Sequence, residues 1–254
     1  MELVRLTKEN IENEHICCAI SNNKDVQVMS KKAWLNDRLD DGLVFLKGNV
    51  RGKCFIEYIP AENAWVPVQA DGYMYIDCLW VSGQFKGHGN ADILLEECAR
   101  DSKQKGKKGL CIISSDKKRP FLADKKFLLH KGFEVCDKAQ PYFELLKLDF
   151  EDNETNVCFL PNVKEPKCQS AGLSVYYTNQ CPFTAKYVPI YRDIAQNVGV
   201  PMNVFHTDSL QKAKNAPCAV TTFTLFADGK FLTNELVTEK KFAKLCEDYK
   251  YGGI

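Results

Sequence analysis

Short apolar runs bounded by turn residues alternate, through the first 150 residues, with stretches in which apolar side chains return every third or fourth position. The first pattern predicts strands at residues 3–6, 43–47, 52–59, 72–81, 110–113, 133–136 and 142–148, and the second predicts helices at residues 8–19, 30–40 and 121–130. A further helix opens at Ala91, where Ala91, Leu94, Leu95, Cys98, Ala99 and Ser102 share one face. Asp92, Glu96, Glu97, Arg100 and Lys103 take the opposite face, and the Lys- and Gly-rich residues 105–109 end the helix. This order predicts an α/β (α+β) fold, a mixed sheet with helices on both faces.

The pattern breaks down over residues 151–172, a charged stretch with prolines at 161 and 166, which reads as a linker. Beyond it, strands are predicted at residues 173–178, 202–206, 220–226 and 231–235, and helices at residues 185–197, 209–215 and 239–249. Asp228-Gly229 marks a hairpin between the last two strands. A chain of 254 residues is long for a single core, so the expected organisation is a domain at 1–150, the linker at 151–172, and a smaller βαβαββα domain at 173–254.

Charge narrows the partners. Lys and Arg number 34 against 33 Asp and Glu, which argues against a nucleic-acid or membrane partner and favours a small molecule. No apolar run reaches the roughly eighteen residues of a membrane span, and the first residues lack the basic and then apolar zones of a signal peptide, so a cytoplasmic location is expected. The 12 cysteines are spread through predicted strands and helices and read as reduced core residues. With no CxxC or HxxxH pair, no metal site is expected.

Between the strand at residues 72–81 and the helix at Ala91 lies Gln84-Phe85-Lys86-Gly87-His88-Gly89-Asn90-Ala91. Gly87 and Gly89 can adopt backbone angles that turn successive N–H groups onto an anion, and the following helix adds its positive end. The spacing is neither that of a P-loop nor that of a dinucleotide fingerprint. Gln84, Gly87 and Gly89 form QxxGxG, which resembles the [Q/R]xxGx[G/A] signature of the GCN5-related N-acetyltransferases, the GNAT family. The strand before the loop, the helix after it and the later Lys131-Gly132-Phe133 extend the resemblance over residues 1–150. The resemblance implies acetyl-CoA as co-substrate, with its pyrophosphate on residues 84–91 and its pantetheine arm beside Leu79 and Val81. Lys86 would then act as a point charge toward the phosphates, and His88 would face solvent or a phosphate.

Acetyl transfer to an amine needs a neutral nitrogen, whereas an ordinary alkylammonium is protonated at neutral pH. Asp77 and Glu57, set inside apolar strands where burial can lift a carboxyl pKa, are the candidate bases; the competing reading of each is a strand carboxylate that faces solvent or pairs with a lysine. Many members of the family carry a tyrosine as general acid four residues before the exit glycine, where this chain has Leu128, leaving Tyr142 and Tyr75 as substitutes. Cys78 reads as packing, while Trp34, Trp65 and Trp80 are divided between acceptor pocket and core.

Residues 173–254 resemble a thioredoxin-like or glutaredoxin-like domain in which Cys181-Pro182 opens a helix. A helix N-terminus favours a thiolate, which makes Cys181 a candidate reactive thiol. Thr184 stands where the second redox cysteine would be, and Pro217 lies too early for the family's cis-proline, whose place Thr221 or Thr222 takes, so dithiol cycling by this motif is excluded. The two halves together resemble bacterial acetyltransferases with a C-terminal YoaP-like domain. The function expected is acetyl-CoA-dependent N-acetylation of a small-molecule, amino-acid or peptide amine by direct attack on the thioester. The alternative is a cofactor-binding or thiol-handling protein using Cys181. An open sheet edge near the cradle leaves room for a homodimer.

Overall fold

The structure, a computed structural model, describes residues 1–19 and 22–253. Its first half contains β1 (Leu3–Arg5), α1 (Val26–Leu39), β2 (Val44–Gly48), β3 (Cys54–Pro60), β4 (Val68–Gln69), β5 (Tyr73–Val81), α2 (Asn90–Gln104), β6 (Gly109–Ser115), α3 (Lys125–His130), β7 (Glu134–Ala139), β8 (Phe143–Asp149) and β9 (Cys158–Phe159). The second half contains β10 (Leu173–Tyr177), α4 (Pro182–Val198), β11 (Met202–His206), α5 (Leu210–Lys214), β12 (Phe223–Ala227), β13 (Lys230–Thr233) and α6 (Glu239–Lys250).

Seven strands form one mixed sheet in the order β1-β2-β3-β5-β6-β8-β7, in which β5 and β6 alone run parallel, joined by the α2 crossover. That parallel pairing is short, running only from Tyr73↔Gly109 to Tyr75↔Cys111. A Cβ on Gly109 would stand 2.3 Å from the Leu148 carbonyl oxygen and 2.6 Å from the Tyr73 ring, so the closed end is packed as tightly as glycine permits. From Ile76 to Val81, β5 keeps β3 on one side and, among the described residues, has no strand on the other. On the β3 side the register slips: Glu57 faces Cys78 while Tyr58 faces Ile76, leaving Asp77 as a bulge residue. The sheet therefore opens into a V at the point where β5 is kinked.

The second sheet has the order β11-β10-β12-β13, with β10 parallel to β11 and the other pairs antiparallel. Strand alternation sends Leu173, Val175, Phe223 and Leu225 to one face against α4 and α6, where Tyr191 and Phe242 stack at 4.2 Å. Phe226 and Phe231 go to the other face and meet the first half, Phe231 lying edge-on to Phe143 at 5.7 Å. One apolar cluster runs from Leu6 and Phe45 through Phe143 to Val220 and Phe226.

Residues 151–172, expected as a linker, are a packed strap. Val157, Phe159 and Val163 are buried in the shared cluster, β9 pairs antiparallel with β4, and the Gln140 N–H donates to the Lys164 carbonyl at 2.9 Å. The expected helix at residues 8–19 is a series of turns. Its apolar anchors Ile11 and Ile16 are five residues apart, off the helical repeat, and Cys17 has φ 60. The helix expected from residue 121 starts at Lys125, because the Asp124 side chain accepts from the Lys126 N–H at 3.0 Å and caps it there.

Truncating Phe159 to alanine is expected to cost about 3–5 kcal/mol of unfolding free energy, as for a buried aromatic. Urea denaturation checks this, since a true linker residue would leave the midpoint unchanged.

Candidate active site

The mouth of the V is the loop between β5 and α2. Gly83, Gly87 and Gly89 have φ of 63, 78 and 69, the left-handed region that side chains other than glycine rarely adopt. A Cβ at any of the three would meet nothing within 4 Å, so the space in front of the loop is open. Among the described residues, the N–H groups of Gly87, His88, Gly89, Asn90, Ala91 and Asp92 donate to no protein acceptor, the first helical bond being Ile93 N–H to the Gly89 carbonyl. Six consecutive donors at a helix N-terminus fit a diphosphate. The loop is pinned from behind: Asn90 Nδ2 donates to the Phe85 carbonyl at 2.9 Å, and the Phe85 ring fills the place of a side chain at Gly52, where a Cβ would come within 2.0 Å. Gln84, Lys86 and His88 are exposed around it. Leu79 and Val81 lie on the unpaired stretch of β5, with their backbone available to an extended arm.

Inside the V is a cavity of about 440 Å³. One side is β5 from Tyr75 to Trp80, the other is Ile112 and Ile113 of β6, and the second half of the chain closes it with Gln180, Cys181, Phe183, Thr221, Thr222 and Asn234. Both candidate carboxylates line it. Glu57 is held by Lys31, whose Nζ lies 2.6 and 2.8 Å from its two oxygens, with the pair almost wholly buried. Lys31 also sits 4.4 Å over the Trp34 ring. Burial pushes Glu57 up from the ordinary carboxylate range, and the Lys31 charge pulls it back. Asp77 has no such cation. Burial first, and then the negative Glu57 beside it, push its pKa well above the usual value, against weaker opposition from Lys31 and a Gln180 hydrogen bond. Its Oδ2 is buried and bonded to nothing. Of the two carboxyl groups, Glu57 has its lysine partner at 2.6 Å, and Asp77 is the one whose environment favours the protonated form.

Three thiols, Cys18, Cys78 and Cys181, line the same cavity. Burial drives Cys181 up to about 11, although the Phe183 and Thr184 N–H groups and Lys31 favour its thiolate. The helix N-terminus acts on Cys181 as anticipated and is outweighed by desolvation. Burial likewise raises Cys18 and Cys78.

Tyr142 is elsewhere: its hydroxyl donates to Asn234 Oδ1 at 2.7 Å and Arg119 stacks on its ring at 3.7 Å, which places it in the packing between the halves and not on the cavity wall. Leu128 is buried in the core behind the sheet. Trp80 lines the cavity, whereas Trp34 and Trp65 form an edge-on pair at 6.2 Å in the shared core. Sequence reasoning missed Lys31, Gln180 and Asn234. Lys31 carried a readable signal, because Val28, Lys31, Lys32 and Leu35 fall on one stripe of α1 and all four are buried. Gln180 and Asn234 stand in loops with no periodicity to mark them.

A YoaP-like family model matches residues 201–244. Over 243 residues the chain is 42% identical to the uncharacterised N-acetyltransferase YoaP of Bacillus subtilis (strain 168), the match spanning 95% of this chain and 97% of that protein. The chain belongs to the YoaP family of N-acetyltransferases. Among solved structures, it is similar to PaiA N-acetyltransferase from Thermoplasma acidophilum in complex with coenzyme A, at 17% identity and a TM-score of 0.42 over 59% of this chain and 100% of that one. It is similar also to the GNAT family N-acetyltransferase YhbS from Escherichia coli in complex with CoA, at 14% identity and a TM-score of 0.40 over 62% of this chain and 88% of that one. Among the described residues, no helix is long and apolar enough to cross a membrane.

Two measurements test the charge arrangement. Between the ordinary carboxylate pKa and Asp77's raised one, the folded chain binds more protons than the unfolded chain, so this group lowers stability as pH rises through that window. Asp77→Asn is therefore expected to gain thermal stability relative to the parent as pH increases from 4 to 9, with little difference near pH 4; melting curves across pH check it. Lys31→Met, which strands a buried carboxylate, is expected to cost about 3–5 kcal/mol in urea unfolding, with much of the loss recovered in Lys31→Met/Glu57→Leu.

Proposed function

We propose that this protein is an acetyl-CoA-dependent N-acetyltransferase of the GNAT type, in which residues 1–150 hold the co-substrate and residues 173–254 close the acceptor cavity. The observation that carries the reading is the run of unpaired N–H groups from Gly87 to Asp92 at the mouth of a V whose bulge residue is a carboxyl group with a raised pKa. In this reading the pyrophosphate rests on residues 84–91, with Gln84, Lys86 and His88 at its edge. The pantetheine arm lies along Leu79 and Val81 and brings the thioester to Asp77. The second half, which we read as thioredoxin-like, serves as a wall. Its Cys181 thiol keeps its proton at neutral pH and does not act as a nucleophile. A cytoplasmic bacterial setting, with acetyl-CoA at hand, completes the proposal.

Asp77 acts by moving one proton. A low-dielectric site raises a carboxyl pKa and lowers that of an ammonium, so an amine and Asp77 together settle as the neutral pair, and the nitrogen keeps its lone pair for attack. As the C–N bond forms and the C–S bond breaks, Asp77 gives its proton to the departing sulfur and takes one from the nitrogen. The balance is one amide and one thiol from one amine and one thioester, with Asp77 restored. A residue in this shuttle makes a separate acid at Leu128 unnecessary. Backbone N–H groups on the unpaired edge of β5 are the donors for the developing oxyanion.

Calorimetry with CoA and thiol release from acetyl-CoA in the presence of amines test the reading. Gly87→Trp, which places a side chain in the open cradle, is expected to weaken CoA binding at least ~10-fold, with a drop in melting temperature no larger than the ~1–3 kcal/mol of strain at its left-handed φ accounts for, and circular dichroism shows the variant folded. Asp77→Asn is expected to keep CoA binding and lose ~10²–10⁴-fold in turnover. Cys181→Ser should turn over normally, and loss of turnover there with Gly87→Trp silent would favour thiol chemistry instead.

A further inference from the structure

Among the described residues, three that line the cavity carry a buried polar atom with no hydrogen bond: Asp77 Oδ2, Gln180 Oε1 and Asn234 Nδ2. Gln180 is 7% exposed and Asn234 1%. Each unsatisfied group costs about 1–3 kcal/mol in a buried setting, so three on one wall point to a ligand that satisfies them together. Their polarities differ. Gln180 Oε1 accepts. The Tyr142 hydroxyl donates to Asn234 Oδ1 at 2.7 Å, which leaves Nδ2 as a donor without a partner on a residue of the cavity lining.

The rest of the wall limits what else that ligand can carry. Phe55, Trp80, Ile113, Phe183, Phe223 and Leu236 make it largely apolar. The one cation lining it among the described residues is Lys31, which is bonded to both oxygens of Glu57. Nothing is left to neutralise a carboxylate or phosphate on the acceptor, and burying such an anion without a partner is heavily penalised. Glu57 is equally committed, so a second ammonium has no partner either.

Building on the acetyl-transfer reading, we propose that the acceptor is a small primary amine on an apolar, aromatic-sized body, bearing one neutral carbonyl and no second charge. The amine hydrogens are shared between Asp77 and Gln180, and the carbonyl oxygen accepts from Asn234 Nδ2. Free amino acids and polyamines are poor acceptors. Asn234 and Gln180, supplied by the second half, select the substrate.

The test is acetyl-CoA-dependent thiol release with four amines: phenylalaninamide, phenethylamine, phenylalanine and spermidine. Phenylalaninamide is expected to have the highest kcat/KM, ~10-fold above phenethylamine, which lacks the carbonyl, and ~10²-fold or more above phenylalanine and spermidine. Asn234→Ala should abolish the preference for phenylalaninamide over phenethylamine, and Gln180→Leu should raise KM for both more than it lowers kcat. Melting curves and CoA calorimetry establish that each variant is folded and binds the co-substrate. Phenylalanine or spermidine matching phenylalaninamide overturns the proposal, as does an amide preference that survives Asn234→Ala, or an enzyme that binds CoA and leaves phenylalaninamide untouched. Failure of the parent protein to bind CoA would instead remove the acetyl-transfer reading beneath it.

Discussion

The parallel pairing of β5 with β6 stops after Tyr75↔Cys111, and the site depends on that stop. Below it, Gly109 lets three strands approach so closely that no side chain fits. Above it, β5 continues for six residues with one neighbour only, which a buried strand tolerates if something else satisfies its backbone. The bulge at Asp77 falls two residues past the last β5 position paired with β6. A local break in register thus sets a carboxyl group near the apex of the opening and feeds the chain into the glycine loop.

Electrostatics inside the opening follow from how little charge the wall contains. Lys31 and Glu57 cancel each other at 2.6 Å, and Asp77 is left in their company with no cation of its own. Its pKa rises because ionising it would put a second negative charge in an apolar enclosure. Cys181 illustrates the same competition from the other direction, since the donors at the start of α4 favour its anion and desolvation prevails. What decides chemistry here is therefore the degree of enclosure, and much of that enclosure comes from the second half of the chain.

Enclosure is also what a sequence conceals. The loop of residues 84–91 was legible, because glycine spacing, the apolar strand before it and the helix after it are local patterns. Asp77 and Glu57 were legible as carboxylates inside apolar runs, but their different fates were not: Glu57 has a lysine from α1 across from it and Asp77 does not. The strap at residues 151–172 read as a linker because its apolar residues are few and irregularly spaced, and a strand as short as β9 leaves no period to detect. Residues 8–19 failed for the converse reason, an approximate helical composition whose anchors are wrongly spaced for one buried face.

The apolar cluster common to both halves has one more implication. Thr221 Oγ1 donates to the Trp65 carbonyl at 2.5 Å and Lys214 Nζ to the Val68 carbonyl at 3.0 Å, so the seam is bonded as well as greasy. Two units joined this way share one apolar core, and the second unit supplies Gln180, Cys181, Phe183 and Asn234 to the cavity wall. Loosening the seam would therefore do more than separate two cores: it would strip the cavity of that wall and let water in beside Asp77.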